Sequence, residues 1–251
     1  MLLCTVRDCH KPLNREEKRM VCAARHSFDI ARSGYINLLQ PQDRRSKNPG
    51  DTAEAVAARR RLHDRGVAAG LRDGLRGFAG ISPQDSILDA GCGDGFYLGT
   101  LGRGCGIDIS AGAIDLAARR YPRCEWVVAN ADRFIPYSDE VFSLAMSITG
   151  RMNPPEFRRV LRTDGRLLIA VAAPDDLLEL RGEGKDRVER TIHDFAAEFR
   201  LVNRDRVTTA AELDAPAVQD VLTAIYRPLR SQPIEAMRVT FSLDLMLMER
   251  R

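Results

Sequence analysis

Between residues 87 and 96 the chain reads Ile-Leu-Asp-Ala-Gly-Cys-Gly-Asp-Gly-Phe, an apolar run that empties into a turn with glycines at 91, 93 and 95, and a second apolar run ends at Asp108. Residues of these types at this spacing can hold a nucleotide-like cofactor. Glycines let the main chain turn tightly and approach a ligand with no side chain in the way. An acidic residue at the tip of the next strand can accept both hydroxyls of a ribose. Asp108 lies 13 residues beyond Gly95, room for one short helix and a strand return. A phosphate-binding turn would need Gly-Lys-Ser, Gly-Lys-Thr or the longer Gly-x-Gly-x-x-Gly spacing, and the segment has none of them. Asp89 and Asp94 would confront a pyrophosphate with carboxylates, a repulsive arrangement. A cationic ligand fits better.

A second constellation lies near residue 1. Cys4, Cys9, Cys22 and His26 read as Cys-x4-Cys and Cys-x3-His, whereas Cys92, Cys105 and Cys124 lie far downstream. Tetrahedral zinc takes four such ligands in two close pairs. A module this small, with few large apolar side chains, is expected to draw its folding energy from the metal rather than from a core. Lys11-Pro12-Leu13-Asn14 supplies turn chemistry between the pairs. His10 is a competing ligand, and the other reading, a set of buried thiols, suits so polar a stretch poorly.

The elements that must position these groups follow from periodicity. Asp51, after the breaker Asn48-Pro49-Gly50, can cap a helix running through Glu54, Val56, Leu62, Val67 and Leu71 toward Phe78. Strands are predicted over 86–90, 105–109, 125–129, 142–148 and 166–172, helices over 111–121 and 154–162, and closing strands between Met237 and Met248. Strands alternating with helices imply an α/β fold with a Rossmann-like, doubly wound and mostly parallel sheet. Its 251 residues suit a small module over 1–40, a linker and leading helix over 41–80, and one main domain over 81–251. No run approaches the roughly 18 apolar residues of a membrane span, and no secretory h-region opens the chain. A cytoplasmic location is expected.

Charge suggests a partner. Residues 1–70 carry 14 Lys and Arg against 8 Asp and Glu, a net of +6, although the whole chain is only +3. A phosphate backbone suits such a local excess, concentrated in the zinc module and residues 43–51; a solvated surface is the alternative. Phe28 and Tyr35, beside Arg25 and Arg32, are candidates to stack on unpaired bases, with one of the two expected to fill the module's core. Trp126 falls in a predicted strand and should pack. The run Arg59-Arg60-Arg61 spreads over about 200° of a helix, so at least one should face RNA or a domain interface.

The glycine turn with Asp108 resembles the S-adenosylmethionine (SAM) pocket of class I methyltransferases, whose sulfonium and amino acid moiety tolerate nearby carboxylates. A more specific resemblance is carried by residues 22–39, Cys-Ala-Ala-Arg-His-Ser-Phe-Asp-Ile-Ala-Arg-Ser-Gly-Tyr-Ile-Asn-Leu-Leu, with Arg45-Ser46-Lys47-Asn48-Pro49-Gly50-Asp51 behind them. Together with Ala118-Arg119-Arg120-Tyr121-Pro122 and Leu177-Leu178-Glu179-Leu180-Arg181-Gly182, this stretch is similar to the bacterial 23S ribosomal RNA (guanine-N1)-methyltransferase family. The resemblance implies a zinc module that helps recognise an RNA hairpin, a class I SAM-dependent methyltransferase domain, SAM and Zn2+ as cofactors, and a homodimer whose modules flank an RNA cleft. It carries over residue by residue. Cys4, Cys9, Cys22 and His26 match the zinc ligands, with two more residues inside the first pair than the family's usual knuckle. Asp89, Gly91 and Gly93 match the turn under the methionine part of SAM, and Asp108 the ribose acceptor. Asn130 and Asp132 both lie where the adenine is contacted, and the choice between them stays open.

The target end is less family-like. Thr149-Gly150-Arg151 stand where the family carries a Tyr-Ala-Pro-like segment, which opens the question of the target atom, and no catalytic base is assigned. Asn153-Pro154-Pro155 invites comparison with the Asn-Pro-Pro-aromatic motif of amino-directed methyltransferases. Yet Asn153 comes five residues after Ile148 and Glu156 replaces the aromatic, so Asn153 is expected to cap a helix with both prolines in its first turn. The functional expectation is methyl transfer from SAM to N1 of a guanine in a 23S rRNA hairpin loop. The alternatives are a zinc-containing RNA- or ribosome-binding protein that keeps the SAM fold, or a methyltransferase acting on another RNA base. Retention of Asp89, Gly91, Gly93 and Asp108 favours catalysis.

Overall fold

A computed structural model of the chain describes residues 1–7, 9–43, 49–150, 152–225 and 234–251. Its first elements are short strands, β1 (Leu13–Glu16), β2 (Arg19–Cys22) and β3 (Ser27–Asp29), paired antiparallel in that order. The β1–β2 hairpin pairs Glu16 with Arg19, so the turn lies at Glu17-Lys18, with Glu17 at φ +51°, and not at Lys11–Asn14. Leu13 and Asn14 are already in the ladder, because Leu13 is needed inside.

The next strand, β4 (Ile36–Asn37), leaves the small sheet and pairs in parallel with β7 (Glu125–Val128), Ile36 opposite Val127 and Asn37 opposite Val128. It thereby becomes an edge of the main sheet. Two helices follow, α1 (Ala53–Asp64) and α2 (Ala69–Ala79). The single helix expected here is cut by Gly66 at φ +76°, a backbone state that other residues rarely adopt. The N-cap is Thr52, whose hydroxyl accepts from the Ala55 amide at 3.1 Å, while Asp51 instead pairs with Arg59.

The main sheet then unfolds as β5 (Ile87–Ala90), α3 (Phe96–Gly99), β6 (Cys105–Asp108), α4 (Ala111–Arg120), β7 and β8 (Phe142–Ile148). Beyond them come α5 (Pro154–Val160), β9 (Leu161–Ala172), α6 (Leu178–Arg181), α7 (Val188–Phe195), β10 (Phe199–Leu213), α8 (Ala215–Ala224) and β11 (Met237–Arg250). Its eight strands run in the order β10-β11-β9-β8-β5-β6-β7-β4, parallel from β9 to β4 and antiparallel where β11 joins β9 and β10 joins β11. Strands buried on both faces explain the continuous apolar runs in the sequence. Along β8 and β9, Ala145, Leu167 and Ile169 face one core with α5 and α7, whereas Leu144, Met146 and Leu168 face the other with α2 and α4.

β10 is absent from the sequence expectation. Its Arg200, Arg204, Asp205 and Arg206 are exposed at the outer edge of the sheet, so the apolar signal of a strand is diluted.

The small N-terminal sheet does have a core, contrary to the metal-only expectation. Leu2, Leu13, Phe28, Ile36 and Leu38 pack in one cluster with Val127, Ala129 and Ile135 of the main fold. The described connection from β7 to β8, 129–141, contains no α-helix, and the module lies where such a crossover helix would cover the sheet. Main-chain bonds seal the junction: Leu3 N–H to the Pro136 carbonyl and Ser138 N–H to the Met1 carbonyl, each 3.0 Å.

Candidate cofactor cradle and metal centre

The turn after β5 is held from beneath by β6. The Gly91 and Cys92 amides both donate to the Ile107 carbonyl, at 2.8 and 3.1 Å. Asp108, at the end of β6, accepts from Gly93 N–H at 2.9 Å and from Ser110 N–H at 2.8 Å, one on each carboxylate oxygen. Burial raises the Asp108 carboxyl above its ordinary range, and these two N–H groups work against that rise. Gly95 has φ +75°, and a Cβ there would lie 2.4 Å from the Trp126 ring, so the turn can close only over a glycine. Trp126 is core, 2 % exposed, with its indole N–H on the Tyr121 carbonyl.

Asp89 is the anomaly. It is 1 % exposed, and neither side-chain oxygen has a hydrogen-bond partner among the described residues. Burial, and then the charge of Asp108, push its carboxyl up to about 7. A buried carboxylate without a partner is costly, and a cationic group beside it would remove that cost. The donor set therefore fits the sulfonium and ammonium of SAM.

Asp94 does something different from its neighbour. His63 Nδ1 lies 3.0 Å from its carboxylate and Arg60 Nη1 3.4 Å, and both come from α1. Burial opposes ionisation of Asp94, but the His63 hydrogen bond and the nearby arginines hold its carboxyl below the usual range. Phe96 stacks on the His63 ring with centroids 4.1 Å apart. This clamp was not foreseen from the sequence, because residues 31 to 34 positions apart meet only in the folded chain. All three arginines of the 59–61 run serve such intramolecular contacts: Arg59 on Asp51 and the Ala224 carbonyl, Arg60 on Asp94, and Arg61 bidentate on Asp220.

At the amino-terminal end, Cys4, Cys9, Cys22 and His26 converge, with their ligand atoms all within 4.8 Å of one another. The Cys9 and Cys22 sulfurs are 3.8 Å apart, and His26 Nδ1 lies 3.4 Å from the Cys4 sulfur and 3.5 Å from that of Cys22. A tetrahedron with zinc–sulfur bonds of about 2.3 Å has edges of roughly 3.8 Å, so the four donors are spaced for one ion. Burial pushes the Cys4 thiol up to about 12, which makes a dication the natural means of holding it as thiolate. His10, the competing ligand, points elsewhere and stacks on Phe134.

Comparison with known proteins decides the family. Residues 3–47 match the family model described as "RlmA, N-terminal", a zinc ribbon, and residues 87–169 match a methyltransferase domain. The 23S rRNA (guanine(748)-N(1))-methyltransferase of Streptomyces fradiae is 34% identical over 230 residues, covering 85% of this chain and 81% of that protein. The chain belongs to the 23S rRNA (guanine-N1)-methyltransferase family. Solved structures support the fold. A TehB-like SAM-dependent methyltransferase from Corynebacterium glutamicum superposes with a TM-score of 0.50 at 21% identity, covering 79% of this chain and 98% of its own. A SAM-dependent methyltransferase from Thermotoga maritima gives 0.50 at 14% identity, covering 80% and 100%.

Other residues singled out in the sequence have their own surroundings. Asn130 follows β7, half-buried, with its amide nitrogen on the Asp43 carbonyl at 3.0 Å and its oxygen accepting from Asp132 N–H at 3.1 Å; Asp132 is exposed. Asn153 stands at the N-cap of α5, but its side chain does not cap the helix. Its amide nitrogen donates to the Ala131 and Asp132 carbonyls, each at 3.0 Å, tying the loop after β8 to the loop after β7. Thr149 takes φ +50° at the end of β8. Phe28 is core, as expected of one of the two, and Tyr35 is half-buried against the second core. Arg151 and the basic stretch 44–48 lie outside the described residues. Among the described residues, no helix is long and apolar enough to cross a membrane.

Proposed function

We propose that Asp89, Gly91, Gly93, Asp108 and Asn130 hold SAM, with Asp132 beside the adenine end, that Cys4, Cys9, Cys22 and His26 hold zinc, and that the reaction methylates N1 of a guanine in a hairpin loop of 23S rRNA. The observation that carries the cofactor assignment is the unpartnered, buried carboxylate of Asp89. When bound, SAM supplies a methyl group already activated by its sulfonium. Asp89 faces the cationic methionine part. Asp108 meets the ribose with both oxygens already aimed by Gly93 and Ser110. The α1 clamp on Asp94 fixes the glycine turn and keeps water from its outer side. The chain's contribution to rate is then orientation and electrostatic preorganisation. The binding-only alternative would have no need of an uncompensated Asp89, whose burial destabilises the ligand-free fold. Cytoplasmic action as a homodimer belongs to the same proposal and rests on the family alone.

The test is to incubate the purified protein with SAM and unmodified 23S rRNA and to map methylated nucleotides by mass spectrometry of nuclease fragments. A single 1-methylguanosine in one hairpin loop is expected. Measurable SAM and RNA binding without methylation, or a methyl group on another base, would overturn the assignment.

A further inference from the structure

We infer that the seam between the zinc ribbon and the catalytic sheet is a subsite for one RNA nucleotide beside the reacting guanosine; this rests on the rRNA reading above. The seam encloses a cavity of about 360 Å³, within the size range of small-ligand sites. From the ribbon it is lined by Arg7 and His10, and from the loops after β4 and β7 by Asp43, Arg133, Phe134 and Asn130, so it adjoins the adenine end proposed for SAM. These groups match the parts of a nucleotide. His10 lies flat on Phe134, ring centroids 4.3 Å apart and planes 16° apart, and the Arg159 guanidinium sits over Phe134 at 4.9 Å. His10 is itself exposed, so the column ends in an aromatic ring on which an unpaired base can stack. Its backbone takes φ +42°, a strained state for a non-glycine residue of the kind that clusters at functional sites. Arg7 is exposed and has no ion-pair or hydrogen-bond partner among the described residues. Arg133 meets Asp43 at 3.0 Å but keeps 60% of its side chain exposed, leaving N–H groups for a phosphate. The Asp43 carboxylate and the Gln42 amide add acceptors and donors for a base edge.

Position sets this subsite beside the methyl-transfer point. It opens at the ends of β4 and β7, and β7 is three strands from β8 in the sheet, about 14 Å at the usual strand spacing. The loops that follow β7 and β8 nevertheless touch, Asn153 after β8 donating to the Ala131 and Asp132 carbonyls after β7 at 3.0 Å, so a base seated in the seam lies next to the one that meets the loop after β8. The ribbon supplies half of the subsite, and His10 directly follows the zinc ligand Cys9, so the metal fixes the stacking ring.

The experiment compares full-length wild type with His10→Ala, His10→Phe and Arg7→Ala on a 23S rRNA hairpin fragment, measuring RNA affinity, SAM affinity, zinc content and methyl transfer. His10→Ala is expected to weaken RNA binding about tenfold, with His10→Phe close to wild type, since stacking alone is retained. Arg7→Ala should flatten the dependence of log affinity on log salt by about 0.7 to 1. SAM affinity and zinc content should not change in any variant, which also reports correct folding. Unchanged RNA affinity in His10→Ala and Arg7→Ala refutes the subsite. A loss of SAM affinity instead assigns the seam to the cofactor and refutes it as well. Wild type that binds the hairpin but transfers no methyl group defeats the rRNA-methylation reading, while the variant comparison still decides the subsite. Wild type that binds no RNA defeats both.

Discussion

Asp89→Asn is the most discriminating single change, because it should stabilise the ligand-free protein while abolishing its cofactor affinity. The Asp89 carboxyl stands at about 7 against an ordinary value of 3.8. The folded state therefore retains a proton that the unfolded chain has lost, and the Asp89 contribution to stability is greatest below pH 4 and declines as pH rises through 7. Three units at 1.36 kcal/mol each make the ionised group cost on the order of 4 kcal/mol at pH 8. Asparagine removes that charge but leaves an amide without partners, itself costing about 1 to 3 kcal/mol. The net expectation at pH 8 is a gain of roughly 1 to 3 kcal/mol, or several degrees in Tm for a chain of this size. At pH 5, where Asp89 is largely protonated, the gain should vanish. Thermal melts of both proteins at the two pH values, with and without SAM, read this directly. SAM should raise the wild-type Tm and leave the variant unmoved. A variant that melts at or below wild type at pH 8, or that binds SAM normally, would refute the claim that Asp89 is an uncompensated charge awaiting a cation.

Asp108→Ala should abolish SAM binding in calorimetric titration, with zinc content unchanged. Gly95→Ala forces a Cβ toward Trp126 in a left-handed backbone and should lower stability by about 2 to 4 kcal/mol in urea unfolding; a Tm equal to wild type would mean that the turn is looser than its geometry indicates. Cys22→Ser should release zinc and, because the ribbon shares a core with β7, lower the Tm of the whole protein rather than unfold only the first 40 residues; two separate transitions in calorimetry would contradict this. Acidification should release zinc as thiolates take up protons, which a chromophoric chelator can follow, and metal retained below pH 4 would argue against thiolate ligation.

How much of this was legible in the sequence varies with how local the physics is. The cradle could be read because its residues, Asp89 to Gly95, are contiguous and their types follow from backbone geometry. β5 to β8 could be read because strands buried on both faces are apolar throughout. The zinc ligands showed through their spacing. The α1 clamp did not, since Asp94 reads as part of the glycine turn and nothing local in the sequence pairs it with His63, 31 positions earlier. β10 escaped because an edge strand carries polar side chains along its open face. The ribbon's attachment escaped for another reason: Ile36 and Leu38 are too short a run to announce a strand, and their partner lies about ninety positions later. His10 drew notice as a ligand by residue type, and only its place in the fold shows it as a ring on Phe134.

The pairing of β4 with β7 also sets an order of events at the ribosome. Residues 36 and 37 leave the exit tunnel long before residues 125 to 128 exist, so for that interval the ribbon carries an open strand edge and an uncovered apolar flank. The β1–β2–β3 ladder and a metal held by Cys4, Cys9, Cys22 and His26 are contacts that it can make during the wait, since all lie within the first 29 residues. Metal supply would then act on the yield of folded protein as it is synthesised, before any reaction takes place.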